Sequence, residues 1–301
     1  MTLYIDCFSG ISGDMALGAL IDLGVPAEYL IGELKKLDVD GYEIKVSEKF
    51  KNGIRGIDVD VIIANEHDHE HHCEEHTHEH HCEEHSHEGH THEHHCEEHT
   101  HEGHTHEHHT HEEHCEEHTH EHHHRSYKDI KILIENSALN ENIKELSKKM
   151  FYNIGTAEAK IHGKTLDEVH FHEVGAVDSI VDIVGVAICI DKLGIKNIIS
   201  SALHVGTGTT WCQHGIIPIP APATLEILKE GQVPFYSKGI DKEMVTPTGA
   251  TIVATLSSKF GNMPECSVNR VGYGCGKRDM KIANMVRMMI INEKKKIYQF
   301  G

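Results

Sequence analysis

Residues 66–124 contain no side chain from which a hydrophobic core could be built. This segment has no Leu, Ile, Val, Phe, Trp or Met and no Lys or Arg, yet it holds 27 of the chain's 32 histidines and four of its nine cysteines. Because folding needs apolar burial to offset the loss of chain entropy, we predict a disordered insertion in a surface loop. The segment is called the His tract below.

Metal binding is the first function that the His tract indicates. Imidazole, thiolate and carboxylate groups recur every one to three residues, and all are ligands for Ni, Zn, Co or Cu. The composition does not distinguish a tract that delivers metal from one that only buffers the metal concentration, or from a solvated acidic loop with incidental affinity. Candidate ligands within the tract include His76, His78, Cys82, Cys96 and His120.

Outside the tract, the composition excludes several classes of protein. The tract carries 19 of the 48 acidic residues, so the other residues, about 240, have a net charge of about −1 and no basic stripe for nucleic acid. The first six residues lack the basic and apolar regions of a signal peptide, and no run reaches the roughly 18 apolar residues of a membrane span. Five irregularly spaced cysteines favour a reducing cytoplasm over a disulfide framework.

Hydrophobic periodicity on both sides of the tract predicts an α+β, or irregular α/β, fold with a long disordered His-rich loop insertion. We expect one discontinuous domain, 1–65 and 125–293, with 66–124 as the insertion and 294–301 as a tail. The predicted strands are 3–6, 42–50, 53–63, 195–200, 202–205, 268–273 and 285–292, the last two around a Gly-rich turn. The predicted helices are 14–23, 26–37, 127–135, 141–161, 178–193, 222–229 and 247–260.

One ordered segment, 169–182, concentrates potential metal ligands. His170 and His172 share one side of an extended stretch, and Asp178 and Asp182 share one face of the helix that follows. With Glu173 they form a candidate metal site. The alternative makes Asp178 a helix cap and the two histidines packed polar groups.

Two glycine-containing turns are candidates for cofactor binding. In the first, 9–13, small residues between a strand and a helix leave backbone N–H groups that could hold an anion, although an ordinary tight turn is equally compatible. The alternative for the second, 246–249, is a simple helix cap, with Thr246 as the N-cap and Pro247 in the first helical position. Carboxylates beside the first turn, Asp6 and Asp14, could instead hold a cation. The cofactor-binding candidates are Ser9, Gly10, Ser12, Gly13, Thr246, Thr248 and Gly249.

A third glycine-rich segment, 272–279, is similar to a phosphate-binding P-loop only superficially. Arg278 follows Lys277 where a Walker A motif requires Ser or Thr, and the spacing between the glycines is wrong. This argues against a GTPase-type nickel chaperone.

Five motifs together resemble the LarC nickel-insertion family: IDCFSGISGDM, VHFHEVGAVDSIVDIVG, PIPAPAT, MVTPTGA and GYGCGKRD. The resemblance implies a lyase-class enzyme that inserts Ni(II) into pyridinium-3,5-bisthiocarboxylic acid mononucleotide. One carbon–nickel and two sulfur–nickel bonds form, which yields the nickel-pincer cofactor of lactate racemase. It also implies CTP with Mn(II) or Mg(II), and a lactate racemase-type apoenzyme as recipient. We expect the chain to form a homo-oligomer.

The resemblance leaves one part of the family pattern unmatched. Full-length members continue into a carboxy-terminal domain that binds CTP, and this domain is expected to be missing here. The run Lys294–Lys296 would suit programmed frameshifting, so we hypothesise that the carboxy-terminal part is encoded separately and acts as a partner.

Forming the carbon–nickel bond requires loss of a ring proton, so a base is needed. Glu173 and Asp14 are the two candidates. Two rival hypotheses stay open, a metallochaperone or nickel (or zinc) store without chemistry, and a structural partner that needs the missing domain.

Overall fold

The computed structural model describes residues 1–63, 125–169, 171, 176–212 and 214–293. The strands are β1 (Thr2–Asp6), β2 (Tyr42–Lys51), β3 (Ile54–Ile63), β4 (Asn197–Ser200), β5 (Leu203–His204), β6 (Thr209–Cys212), β7 (Gly215–Pro218), β8 (Phe235–Tyr236), β9 (Lys259–Phe260), β10 (Cys266–Cys275) and β11 (Met285–Glu293). The helices are α1 (Gly13–Asp22), α2 (Ala27–Leu34), α3 (Tyr127–Asn136), α4 (Glu141–Ile161), α5 (Val177–Lys192), α6 (Pro222–Glu230) and α7 (Pro247–Leu256).

A seven-stranded mixed sheet organises the fold, in the order β2-β3-β10-β11-β1-β4-β9. The amino-terminal strand β1 lies inside it, antiparallel to β11 and parallel to β4. The hairpin β2–β3 joins the sheet through a parallel contact of β3 with β10. Two small sheets, parallel β5–β8 and antiparallel β6–β7, lie outside the main one. Distant segments of the chain therefore meet along one sheet.

Helices α1 and α5 carry much of the apolar core. From Ser179 to Ile190, α5 buries every residue except Asp182, which makes this acid conspicuous on an otherwise apolar helix. Buried leucines of α1, such as Leu17 and Leu20, belong to the same core. In the ranges given above, no helix combines the length and the apolarity needed to cross a membrane.

Helix α1 lies directly on the backbone of the sheet because glycines face each other there. A Cβ on Gly274 of β10 would come within 1.7 Å of the Met15 carbonyl oxygen. A Cβ on Gly18 of α1 would come within 2.4 Å of the Ile57 carbonyl oxygen. Side chains at either position would push the helix away, so these two glycines determine how closely α1 packs against the sheet.

Most predicted elements are confirmed, and the chain is a mixed α/β protein with one large mixed sheet. The predicted helix 247–260 is wrong at its end, because Ser257 is extended and Phe260 belongs to β9. The predicted Gly-rich turn is also partly wrong, since β10 continues past the predicted end at Tyr273 to Cys275 and so includes Gly274. The strands β6 to β9 went unpredicted because two to four residues are too few to show alternation.

Two other expectations have different outcomes. The described cysteines are all free thiols, as the irregular spacing predicted. The tract at 66–124 and the tail at 294–301 lie outside the described residues, so the predicted domain division and disordered insertion stay predictions.

We expect Gly274→Ala to lower the free energy of unfolding by about 1–3 kcal/mol, because the new methyl group would overlap a backbone carbonyl. The matched control is Gly32→Ala in α2, where a Cβ would meet nothing within 4 Å. That change should raise stability by about 0.4–1 kcal/mol. Urea denaturation measures both, and equal effects at the two positions would contradict the close contact of α1 with β10.

Candidate functional site

The amino-terminal end of α1 and the middle of α5 bring two carboxylates together. A Cβ on Gly13 would lie 2.2 Å from Oδ2 of Asp182, so only glycine lets this side chain approach so closely. The backbone N–H of Asp14 donates a hydrogen bond to Asp182. The other oxygen of Asp182, Oδ1, is buried and accepts no hydrogen bond from any described residue. A buried acceptor with no donor is costly unless a proton, a cation or a ligand satisfies it.

Both carboxyl groups hold their protons more tightly than usual. Burial raises the pKa of Asp182 well above its ordinary range, and the nearby charges of Asp14 and Asp178 raise it further. Burial also raises the pKa of Asp14, against the opposing influence of the Ser12 hydroxyl and of Lys277. Carboxyl groups with raised pKa values are suited to accept a proton near neutral pH or to bind a cation that neutralises them.

A lysine from the carboxyl end of β10 lies beside this pair. Nζ of Lys277 is 3.0 Å from Oδ1 of Asp58, 2.6 Å from Oδ1 of Asp60 and 3.9 Å from Oδ2 of Asp14. Burial acts to raise the pKa of Asp58, but its ion pairs with Lys49 and Lys277 outweigh burial and lower it. Lys277 is therefore a fixed cation at the edge of the site, whereas the sequence had shown it only as part of a failed P-loop pattern.

The two predicted cofactor-binding segments lie against each other. The N–H of Ile11 donates to the Met244 carbonyl oxygen over 2.9 Å, and the N–H of Thr246 donates to the Ile11 carbonyl oxygen over 3.3 Å. The turn before α1 and the start of α7 are thus joined by backbone hydrogen bonds. Both segments were predicted to bind a cofactor, but their contact with each other was not predicted.

Several groups in these segments are already engaged within the protein. The N–H of Gly10 donates to the Cys7 carbonyl oxygen, and the N–H of Gly249 donates to the Thr246 hydroxyl, which caps α7. The Ser12 hydroxyl donates to the Asp14 carboxylate. Ser9 differs, because its hydroxyl oxygen is fully buried and has no hydrogen-bond partner among the described residues. Anion binding by this turn, including the roles assigned to Gly13 and Thr248, remains a prediction.

The predicted metal ligands are only partly described. Asp178 is exposed in the first turn of α5, whose N-cap is Ala176, so the alternative of Asp178 as a cap is wrong. Across the described ranges, no three His, Cys, Asp or Glu side chains are grouped so as to hold a metal ion. The other proposed ligands lie outside the described residues: His170, His172, Glu173, His76, His78, Cys82, Cys96 and His120.

A pair of histidines that the sequence did not indicate meets elsewhere in the fold. The rings of His162, at the end of α4, and His214, in the β6–β7 turn, are 4.9 Å apart. Nε2 of His162 is 3.3 Å from a carboxylate oxygen of Glu158. Burial, and then the proximity of His214, lowers the pKa of His162. The sequence offered one indication of these histidines, because few histidines lie outside the tract. It could not indicate that they meet, because they are far apart along the chain.

Carboxylates with raised pKa values, a fixed lysine and paired imidazoles are groups typical of proteins that handle metal ions and protons. A family model described as nickel insertion protein matches residues 3–299, so the chain belongs to the nickel insertion protein family.

Curated relatives agree with this family. A protein of Clostridium acetobutylicum is 48% identical over 292 residues, covering 97% of this chain and 64% of the relative. One of Acetivibrio thermocellus is 43% identical over 298 residues, covering 98% of this chain and 61% of the relative. Both are named pyridinium-3,5-bisthiocarboxylic acid mononucleotide nickel insertion protein. The chain thus spans about three fifths of the length of the relatives it matches. No solved structure matches it.

We expect Asp182→Asn to raise the free energy of unfolding at pH 7 by about 0.5–2 kcal/mol, as is common when an unfavourable site residue is removed. The folded-state pKa of this carboxyl is raised, so the folded chain binds the extra proton and stability falls as pH rises above the unfolded-state value near 4. The variant should lose this part of the pH dependence.

Asp38→Asn is the control for this prediction, because Asp38 is exposed and should change stability by less than about 0.5 kcal/mol. Chemical denaturation from pH 4 to pH 8 gives both profiles. A less stable Asp182→Asn protein at pH 7 would show that the buried carboxylate is satisfied after all.

Proposed function

We propose that this chain contributes the metal- and substrate-binding part of a nickel insertion reaction. The substrate is pyridinium-3,5-bisthiocarboxylic acid mononucleotide, the substrate in the names of the curated relatives. The product would be the nickel-pincer cofactor, delivered to a lactate racemase-type apoenzyme in the cytoplasm. The observation that carries the proposal is the carboxylate pair Asp14 and Asp182, in which the buried Oδ1 of Asp182 has no hydrogen-bond partner among the described residues, in a chain of this family.

Two tasks can be divided between these carboxylates. Nickel insertion replaces a ring C–H bond by a C–Ni bond, and the released proton needs an acceptor. Asp14 is suited to that role, because burial raises its pKa and the Ser12 hydroxyl orients its carboxylate. Asp182 is suited to hold the incoming nickel, since a divalent cation would satisfy its Oδ1 and favour its ionised form.

Other proposed ligands would complete the nickel site. Asp178 lies one helical turn before Asp182 on α5, so it can reach the same cation. His170, His172 and Glu173 precede that helix in the sequence, and Glu173 stays the second candidate for the base. Nickel in this scheme is the cargo of the reaction.

CTP, with Mn(II) or Mg(II), is not assigned to the residues described here. The segment most similar to a phosphate loop, at 272–279, directs the Lys277 ammonium to Asp58 and Asp60. A lysine neutralised in this way is a poor phosphate ligand, so the nucleotide is proposed to bind the carboxy-terminal part of the relatives. That part is the proposed partner, and the assembly is proposed to be a homo-oligomer.

We expect Asp14→Asn to slow nickel insertion by about 10²–10⁴-fold, the usual contribution of a positioned base. Nickel affinity should stay near that of the unmodified chain, because the ligand oxygens of Asp182 remain. The assay combines the pyridinium precursor, Ni(II), CTP and the carboxy-terminal part, with the nickel-containing product measured by mass spectrometry.

In the chain without residues 66–124, at high nickel concentration, Asp182→Asn should lose insertion and weaken nickel binding, whereas Asp38→Asn should do neither. An Asp14→Asn protein that matures the cofactor at the normal rate would exclude Asp14 as the base. If the unmodified chain binds nickel but yields no product with the carboxy-terminal part present, the metallochaperone alternative is correct.

Deleting residues 66–124 should lower the number of nickel ions bound per chain but leave insertion intact at high nickel concentration. The tract would then act as a reservoir whose affinity falls as pH drops through about 6, where imidazoles become protonated. Equilibrium dialysis at pH 6 and pH 8 tests this, and loss of insertion at saturating nickel would assign the tract a direct role.

A further inference from the structure

The histidine pair at the end of α4 combines several features of a metal site. His162 and His214 have ring centroids 4.9 Å apart, although 51 residues separate them in the sequence. Nε2 of His162 faces Glu158 at 3.3 Å, one helical turn earlier. A carboxylate that accepts one imidazole N–H makes the other ring nitrogen a better metal ligand, and this arrangement is common behind metal-bound histidines.

The helix itself adds a second favourable contribution. His162 is the C-cap of α4, a helix of 21 residues. The carbonyl groups at a helix carboxyl end carry partial negative charge, which stabilises a cation. Lys164 also lies near His162 and opposes cation binding, so the affinity should be moderate.

The partner histidine lies beside a two-stranded hairpin, β6–β7. His214 lies in the turn between β6 and β7, and its backbone N–H donates to the buried Cys212 sulfur over 3.4 Å. The chain's single tryptophan, Trp211, precedes it by three residues and is 75% exposed. Three residues of chain span at most about 11 Å, so the Trp211 indole is the natural reporter for an ion bound by His214.

We propose that His162 and His214 form a two-imidazole binding site for a divalent cation of the nickel type, supported by Glu158. Neutral imidazole is a preferred ligand for Ni(II). Within the described part of the chain no third His, Cys, Asp or Glu completes a metal cluster, so water would fill the remaining positions. A site with two protein ligands releases its ion readily. If the proposed function holds, this pair is a transfer site for nickel, distinct from the carboxylates that carry the insertion.

Fluorescence of Trp211 tests the pair in the full-length chain. Ni(II) quenches a nearby indole, whereas Zn(II), with a filled d shell, does not. We expect saturable quenching by Ni(II) that Zn(II) reverses by competition. His162→Gln with His214→Gln should abolish it, and Glu158→Gln should weaken the affinity by about 10-fold or more. Circular dichroism checks that each variant is folded.

The matched control removes two imidazoles from the His tract, as His104→Gln with His106→Gln, and should leave the quenching midpoint unchanged. Quenching that persists unchanged without His162 and His214 would overturn the site, as would a complete lack of quenching in the unmodified chain. Quenching with no insertion in the maturation assay would support the site and contradict only the proposed function.

Discussion

The close contact between α1 and the sheet is the constraint on which the remaining structure depends. Where Gly18 and Gly274 meet the opposite backbone, no side chain separates helix from strand. The helix is therefore held at a fixed depth, and its first turn places Asp14 beside α5. A helix resting on ordinary side chains would lie several ångströms further out and could not bring Gly13 against Asp182.

The surrounding charges give neighbouring carboxylates of this region different pKa values. Asp58 is fully buried, yet two lysines lower its pKa, so it is a permanent anion that fixes Lys277. For Asp182 the pKa is raised instead, because burial and the nearby charges of Asp14 and Asp178 outweigh the opposing influence of Lys277 and of the Asp14 backbone N–H. Groups whose pKa values are driven apart in this way can take different chemical roles at one pH. The ion pairs that Lys277 makes with Asp58 and Asp60 are structural, whereas Asp182, with no ion pair to any described residue, is the proposed nickel ligand.

The proposed role of Asp182 would be one in which function opposes stability. A buried acceptor without a donor lowers the stability of the folded chain, and evolution would replace it if it served packing alone. Its place on α5, among residues that are otherwise apolar, makes a packing role for Asp182 implausible. The His162 imidazole differs from Asp182 in this respect, because its Nε2 lies 3.3 Å from a carboxylate oxygen of Glu158.

Local pattern determined much of this protein. Periodicity located the strands of the main hairpin and the long helices α4 and α5, and the Thr246-Pro247 sequence indicated the cap of α7, because these depend on neighbouring residues. It also marked Asp14 and Asp182 as candidate site residues. What only the tertiary structure decided are contacts between segments far apart in sequence: α1 on β10, Lys277 beside Asp14, and His162 beside His214. Such contacts follow from packing distances and backbone approach, which leave no periodic trace in the sequence.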